Sequence, residues 1–483
     1  PLVVSLSNHR NGDDLMLDTI FREYDIRGKV GSELVLDEVY DLGRAIAYYF
    51  VRENPTISTV ALGMDGRVHS PAMQQAMCKA LVDSGLHVIL IGVCPSPVLY
   101  FTLFTHPEVD AGLMITASHN PKEYNGIKIC LGKKTVWGVQ VREIRQLFKE
   151  RKRVIALRKG TVRDYNSNQA YIAWLAEHFA DLKNMNFSIV IDCGNGAGAA
   201  IIPRLVSVMG WSNAHLLCAT IDGTYPNHEA DPVKEKNMLE VKRVLAQTDI
   251  ALGFGLDGDA DRMVPMTKSG YLVPGDRLLA LFAQQVVQEN PGAAVVVDIK
   301  SSSGLLELLE QWGAKTCISP AGHAIIKDQM SKCGALLGGE LSCHFFFHDR
   351  YFGYDDGIYA MMRLLQMVHQ SDKSLDEQLQ IFPHKISSLE LLIPCAEDKK
   401  APIITALQNS FAQRSDVATI TIDGVRAQMP YGWGLVRASN TQPMLTVRFE
   451  SDTAQGLARV KQDFALMLSQ HFDMAVMTQL LQM

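Results

Sequence analysis

No apolar run in this 483-residue chain approaches the roughly 18 residues that a membrane-crossing helix needs. The opening stretch, "PLVVSLSNHRNGDD", also lacks the basic-then-apolar layout of a secretory signal. The sequence therefore predicts an unexported protein of the cytoplasm, with no membrane partner. Paired cysteines are missing too. The nine cysteines are odd in number, and none forms a CxxC pair. Several, such as Cys193 and Cys218, lie in or beside apolar stretches, which argues against a disulfide or zinc framework. Excess positive charge is absent: a net charge of −6 offers no broad basic surface to nucleic acid, so a small or phosphorylated ligand is the expected partner. Fixed-period repeats and low-complexity tracts are absent as well.

What is present is ordinary globular composition, 47% hydrophobic and 20% charged, in a chain long enough for roughly three or four domains. Strand-like runs alternate with segments of helical period. "STVALGM" precedes "PAMQQAMCKALVDSG" and then "HVILIGV"; "FSIVIDCGNGAG" leads into "AAIIPRLVSVMG"; "AAVVVDIK" precedes "SSGLLELLEQWG". This is the β-α-β rhythm of mostly parallel sheets covered by helices. After about residue 385 the pattern changes to "VATITIDGV", "WGLVRASN" and "MLTVRFE", followed by one amphipathic helix. The reading is three similar α/β domains, over 1–160, 161–270 and 271–385, and a smaller α+β domain over 386–483.

Four stretches share one theme, running from Gly/Ala and apolar residues into polar ones: "AGLMITASHN", "IALGFGLDGDAD", "GALLGGELSCH" and "GWGLVRASN". Ligands of open α/β sheets bind beyond the carboxyl ends of strands, so four such loops suggest one central cleft.

Each loop has its own chemistry. In "GLDGDADR" the carboxylates Asp257, Asp259 and Asp261 alternate, and an extended backbone would crowd them on one side. Crowded like charges need a cation, and a hard ion such as Mg²⁺ takes oxygen ligands. An EF-hand is excluded, because Arg262 and Lys268 occupy its glycine and glutamate positions. A solvated acidic turn is the competing reading.

Ser118 follows a buried-looking strand without the G-x-S-x-G elbow, which leaves serine-hydrolase chemistry unsupported. A serine that carries a phosphoryl group needs positioning and charge neutralisation rather than a dedicated base. Alone, "SHNP" also reads as a plain turn. "GGELSCH" sets Glu340, Ser342 and His344 at alternate positions, suited to sugar hydroxyls or to a buried strand end. "VRASNTQP" groups Arg437, Ser439, Asn440 and Thr441, a set that suits a phosphate held without reacting or a hairpin turn. Arg22, Arg27 and Arg67 read by default as surface ion pairs. Lys300 is either a strand-end lysine or a desolvated base of lowered pKa. His119, His323 and His344 each also suit a structural role.

Together "TASHNPKEYNGIKI", "DGDADR", "GELSCH" and "RASNT", in that order, resemble the α-D-phosphohexomutase family, in its phosphomannomutase/phosphoglucomutase branch. The resemblance runs from "FREYDIRG" to "RASNTQPMLTVRFE". It implies four domains around a cleft and a reversible interconversion of hexose 1-phosphate and hexose 6-phosphate, with mannose or glucose as the sugar. Ser118 would be the phosphorylated serine and, with Asp257, Asp259 and Asp261, a Mg²⁺ ligand. His119, Lys128, Arg262 and Lys300 would surround the transferring group, with Lys300 and His344 handling protons. Tyr24, Arg27 and His323 would line the cleft. Glu340 and Ser342 would read sugar hydroxyls, and Arg437, Ser439, Asn440 and Thr441 would clamp the second phosphate. A hexose 1,6-bisphosphate would be the intermediate, and a monomer is expected. Leu341 and Cys343 depart from the "GEMSGH" wording of the dual-specificity enzymes. A phosphoglucosamine mutase, a metal-dependent sugar phosphatase and a non-catalytic sugar-phosphate binder are the alternatives.

Overall fold

The computed structural model describes residues 3–4, 16–185, 188–439 and 443–482. It divides into two compact units, Pro1–Pro274 with Ser342–Gln378, and Gly275–Leu341 with Leu379–Met483. No helix among the described residues is long and apolar enough to cross a membrane.

Among the described residues the first unit holds two larger sheets, besides the two-stranded antiparallel pairing of Val3–Val4 with Val154–Ile155. The larger runs Ile26–Lys29, Tyr124–Leu131, Ala111–Ile115, Thr59–Met64, His87–Val93 and Val162–Asp164, with Lys134–Thr135 beside the second strand. Its centre is parallel, and Tyr124–Leu131 is antiparallel to both neighbours. Continuous apolar runs make the central strands: all five residues of Ala111–Ile115 are buried, as expected where helices cover both faces. Val39–Glu53 and Ser70–Asp83 are among those helices, and Ser70–Asp83 starts with Pro in its first turn, where a missing N–H costs nothing. The second sheet orders Ala214–Leu217, Ile189–Asp192, Leu252–Leu256 and Met263–Thr267, parallel except for the last pair.

The second unit carries a parallel trio with Ala294–Asp298 between Lys315–Ser319 and Leu337–Gly339. It also carries an antiparallel sheet ordered Ile386–Ser387, Met444–Ser451, Gly432–Ala438, Val425–Met429 and Ala418–Ile420, with Leu391–Pro394 also on Met444–Ser451. Helix Ala454–Leu468 closes that core through Val460, Phe464 and Leu468, as its amphipathic spacing predicts.

Candidate active site

Strand Ala111–Ile115 delivers the chain to Ser118, which turns into the left-handed region at φ +50°. A non-glycine residue there is strained, by roughly 1–2 kcal/mol, and needs surrounding bonds to hold it. They are present. The Ser118 N–H donates to Thr116 Oγ1 at 2.9 Å, and Arg67 grips the Ser118 carbonyl at 2.7 Å. Buried to 3% exposure, Ser118 donates its hydroxyl to Asp257 Oδ2 at 2.8 Å and meets His119 Nδ1 at 3.1 Å. Enclosure, then the charges of Arg262 and Arg27, depress the His119 imidazole well below its usual pKa, so it is neutral. With the hydroxyl proton directed at Asp257, His119 Nδ1–H is the donor into Oγ.

Asp257, Asp259 and Asp261 each offer an oxygen within 4.8 Å of the others, and all three are buried. The extended backbone anticipated over them is not how they meet. Strand Leu252–Leu256 ends first, and a turn closed by Ala260 N–H on the Asp257 carbonyl at 3.0 Å, with Ala260 at φ +54°, folds the carboxylates together. Lys128, from the neighbouring strand of the serine loop, bonds Asp259 Oδ2 at 2.7 Å and Asp261 Oδ2 at 2.5 Å. Burial opposes the Lys128 charge, yet Asp259 and Asp261 outweigh it and hold the ammonium well above the usual lysine range. Burial, then the charges of Asp261 and Asp259, pushes the Asp257 carboxyl up. Burial works in the same direction on Asp261, but Lys128 and His344 reverse it and draw that group down.

Arg262 donates from Nε to Asp257 Oδ2 at 3.2 Å and forms a backbone bridge to His344. That bridge brings His344 Nε2 to 3.3 Å from Asp261 Oδ1, while Ser342 Oγ lies 3.2 Å from Nδ1 of the same ring. The alternation read for 340–344 is likewise a turn, with Cys343 buried at φ +67°. On the serine side Arg27 bonds Asn120 Oδ1 at 2.9 Å and Asp25 at 3.1 Å, and Tyr24 is half-buried at the preceding bend.

The second unit gathers its own set. Lys300 Nζ pairs with Glu390 Oε1 at 3.3 Å. Burial lowers the Lys300 pKa but Glu390 and Asp298 more than restore it, so the lowered-pKa reading of Lys300 is overturned and the group is a cation. Glu340 Oε1 accepts from Gly322 N–H at 2.7 Å, one residue before helix His323–Cys333, whose first residue His323 is itself buried. Arg437 Nε donates to Asp423 Oδ2 at 2.8 Å, and Ser439, at the end of strand Gly432–Ala438, donates its N–H to the Met444 carbonyl at 2.9 Å. Asn440 and Thr441 lie outside the described residues.

Four family models match the chain in order: phosphoglucomutase/phosphomannomutase domain I over 18–154, domain II over 169–270, domain III over 274–385 and the C-terminal domain over 391–467. The chain belongs to the phosphoglucomutase/phosphomannomutase family. It is 40% identical over 447 residues to the phosphomannomutase/phosphoglucomutase of Pseudomonas aeruginosa, spanning 92% of this chain and 94% of that one. It is 39% identical to the phosphoglucomutase of Neisseria gonorrhoeae, over 92% and 95% of the two chains. A crystal structure of a family protein from Burkholderia thailandensis superposes with a TM-score of 0.85 at 32% identity, covering 94% of this chain and 98% of that one.

Members of this family are metal-dependent phosphohexomutases, and the carboxylates here fit a hard divalent ion. Asp259 Oδ1 is buried without a hydrogen-bond partner, and three crowded acids offer only oxygen. Sequence reasoning missed three contributors. Ser96 donates to Asp259 Oδ2 at 2.6 Å; it begins a helix just past strand His87–Val93, so the strand-end rule that singled out Ser118 would have found it. Asp355 joins Asp261 and His344 within 4.8 Å, and only the acidic pair in "GYDDG" hinted at it. Arg67 is no surface residue: 1% exposed, it bonds four backbone carbonyls of the serine loop.

Proposed function

We propose that this enzyme, a phosphohexomutase by family, carries the exchanged phosphoryl group on Ser118 and passes through a hexose 1,6-bisphosphate. The observation that carries this reading is the 2.8 Å bond from the Ser118 hydroxyl to one of three buried, crowded carboxylates. A phosphoryl group needs its negative charge neutralised, and these acids would hold the Mg²⁺ that supplies this neutralisation.

In the first half-reaction the bond from phosphorus to Ser118 Oγ breaks as a bond to O6 of a hexose 1-phosphate forms. The O6 proton leaves to a basic group, and Ser118 Oγ regains one. In the second half the bond from phosphorus to O1 breaks as one to Oγ forms; Oγ gives up its proton, O1 gains one, and hexose 6-phosphate departs. Neutral His119, beside Oγ, suits stabilisation of the serine oxygen as it gains or loses the group. Lys128 and Arg262 contribute fixed positive charge. His344 is the better candidate for proton exchange, because Lys300, held cationic, acts as a donor or electrostatic partner rather than a base. Glu340 and Ser342 would read sugar hydroxyls. Arg437 and Ser439, with Asn440 and Thr441, would hold the phosphate that is not reacting, and Tyr24, Arg27 and His323 would complete the sugar's surroundings. The enzyme would act in the cytoplasm as a monomer.

The test is a coupled assay with mannose 1-phosphate, glucose 1-phosphate and glucosamine 1-phosphate, with free phosphate measured in parallel. Turnover of the first two without phosphate release is expected. Glucosamine 1-phosphate turning over far faster would transfer the assignment to a phosphoglucosamine mutase, and stoichiometric phosphate release would make the enzyme a phosphatase.

A further inference from the structure

A second cluster of ligating side chains stands apart from the serine and the three acids. Strands Ile189–Asp192 and Ala214–Leu217 run parallel with Asp192 opposite Leu217, so Asp192 and the next residue after its partner, Cys218, emerge at one carboxyl end of the sheet. Cys218 sits at φ +46°, and the loop that follows brings His228 back over both. Asp192 Oδ2 lies 3.0 Å from His228 Nε2, and Cys218 Sγ lies 3.8 Å from the same nitrogen. The sulfur, nitrogen and carboxylate oxygen are all within 4.8 Å of one another.

The protons decide what this arrangement is for. His228 Nδ1 is 2.9 Å from the carbonyl oxygen of Glu229, which can only accept, so Nδ1 carries a hydrogen. With a proton on Nε2 as well, the ring is a cation that donates to Asp192 Oδ2, and its bonds to Asp192 and then Cys218 push its pKa up to about 10; a divalent cation would take the place of that proton among the same three atoms. Orientation of a histidine through its other nitrogen is the usual outer support of a metal ligand. Asp192 is prepared in the same way: its Oδ1 accepts the Gly194 N–H at 2.8 Å, which leaves Oδ2 for the cluster. Asp192 is 1% exposed and the His228 side chain 18%, so one side of the cluster is open to water.

Distances agree with a specific ion. Tetrahedral zinc with bonds of about 2.3 Å to sulfur, 2.05 Å to nitrogen and 2.1 Å to oxygen has an N···O edge of about 3.4 Å and an S···N edge of about 3.6 Å. The observed 3.0 and 3.8 Å lie within about 0.4 Å of these. We propose that Asp192, Cys218 and His228 form a site for a zinc-class divalent cation, with water as the fourth ligand. The mixed sulfur, nitrogen and oxygen set favours zinc over Mg²⁺, which prefers oxygen alone. Bound there, the ion clasps the loop that also carries Asp231, whose Oδ1 is 3.6 Å from Arg262 Nη1, to the sheet that ends in the three-acid turn. The sequence gives no CxxC signal because its ligands are scattered over three separate segments.

The full-length protein is stripped with a chelator and titrated with Co²⁺ followed by near-ultraviolet absorption. Thiolate-to-cobalt charge transfer reports sulfur ligation, which the oxygen-only trio Asp257, Asp259 and Asp261 cannot produce. One equivalent should generate the band; Zn²⁺ should abolish it, Cys218→Ser and His228→Gln should lack it, and Asp259→Asn should keep it. No band in the unaltered protein, or a band that survives in Cys218→Ser, overturns the proposal. A second measurement needs no variant: Zn²⁺ should slow alkylation of Cys218, read by peptide mass spectrometry, at least about tenfold, because a coordinated thiolate is withdrawn from attack. Alkylation at the same rate with and without Zn²⁺ overturns it equally.

Discussion

Ser118 and Asp257, 139 residues apart in the chain, share a 2.8 Å hydrogen bond between the serine hydroxyl and a carboxylate oxygen. The proposed acceptor of the phosphoryl group is thus already in contact with the proposed metal acids. Removing the hydroxyl should abolish transfer while leaving the loop in place, since the bonds that hold its backbone come from Thr116 and Arg67. Ser118→Ala is expected to lower kcat at least about 10³-fold, as loss of a nucleophile does elsewhere, with an unchanged thermal melt. Activity within tenfold of the parent would remove Ser118 from the mechanism.

Asp259 tests the metal assignment separately. Its Oδ2 is taken by Ser96 and Lys128, whereas its buried Oδ1 has no hydrogen-bond partner. Asn at this position keeps the shape and removes one negative charge, so the Mg²⁺ concentration giving half-maximal activity should rise about 10- to 100-fold. A chelator should silence the parent enzyme, and added Mg²⁺ should restore it. A variant with the parent's metal response would show that the acids serve only to bury Lys128.

Much of this was legible because it is local. Strand-to-loop transitions reveal themselves in runs such as "AGLMI" followed by "TASHN", and the serine and the three acids follow from them. The conformation of the loops was not legible. Ala260 and Cys343 adopt positive φ although neither is glycine, so an alternating pattern that suits an extended chain lies where the chain turns. In sequence Arg67 suits a surface position because charge normally seeks water, and its burial becomes favourable only once distant carbonyls surround it. Lys300 reads either way in sequence, since its charge is decided by Glu390, 90 residues on.

Gly258 sits where the serine loop and the three-acid turn touch. A methyl group added there would lie 2.3 Å from the Ser118 carbonyl oxygen, a backbone atom that cannot swing aside. Gly258→Ala should therefore push the serine loop off the acids, lowering kcat more than it raises KM, and destabilise the fold by about 1–3 kcal/mol. The measurement is a pairing of steady-state kinetics with denaturant unfolding. Parent-like kinetics would mean that the loops tolerate separation and that their contact is incidental.

Arg67 makes the sharpest demand of any residue outside the reacting groups. Its five N–H donors all find acceptors: Nε bonds Asp65 at 3.1 Å, Nη1 bonds the Pro121 and Tyr124 carbonyls at 2.7 and 3.0 Å, and Nη2 bonds those of Ser118 and Asn120 at 2.7 and 2.6 Å. Lysine keeps the charge that pairs with Asp65 but offers three donors from one point, so at least two carbonyls would be left unmet. Each buried unmet acceptor costs about 1–3 kcal/mol, and Arg67→Lys should destabilise the first unit by about 2–4 kcal/mol after relaxation. A structural loss alone would leave the folded fraction fully active. Because the carbonyls belong to the segment that presents Ser118, kcat per folded molecule should fall as well, and amide hydrogen exchange should accelerate at residues 118–124 while the strand Thr59–Met64 stays protected. Equal exchange across both segments, with unchanged kcat, would reduce Arg67 to a core ion pair with no hold on the serine.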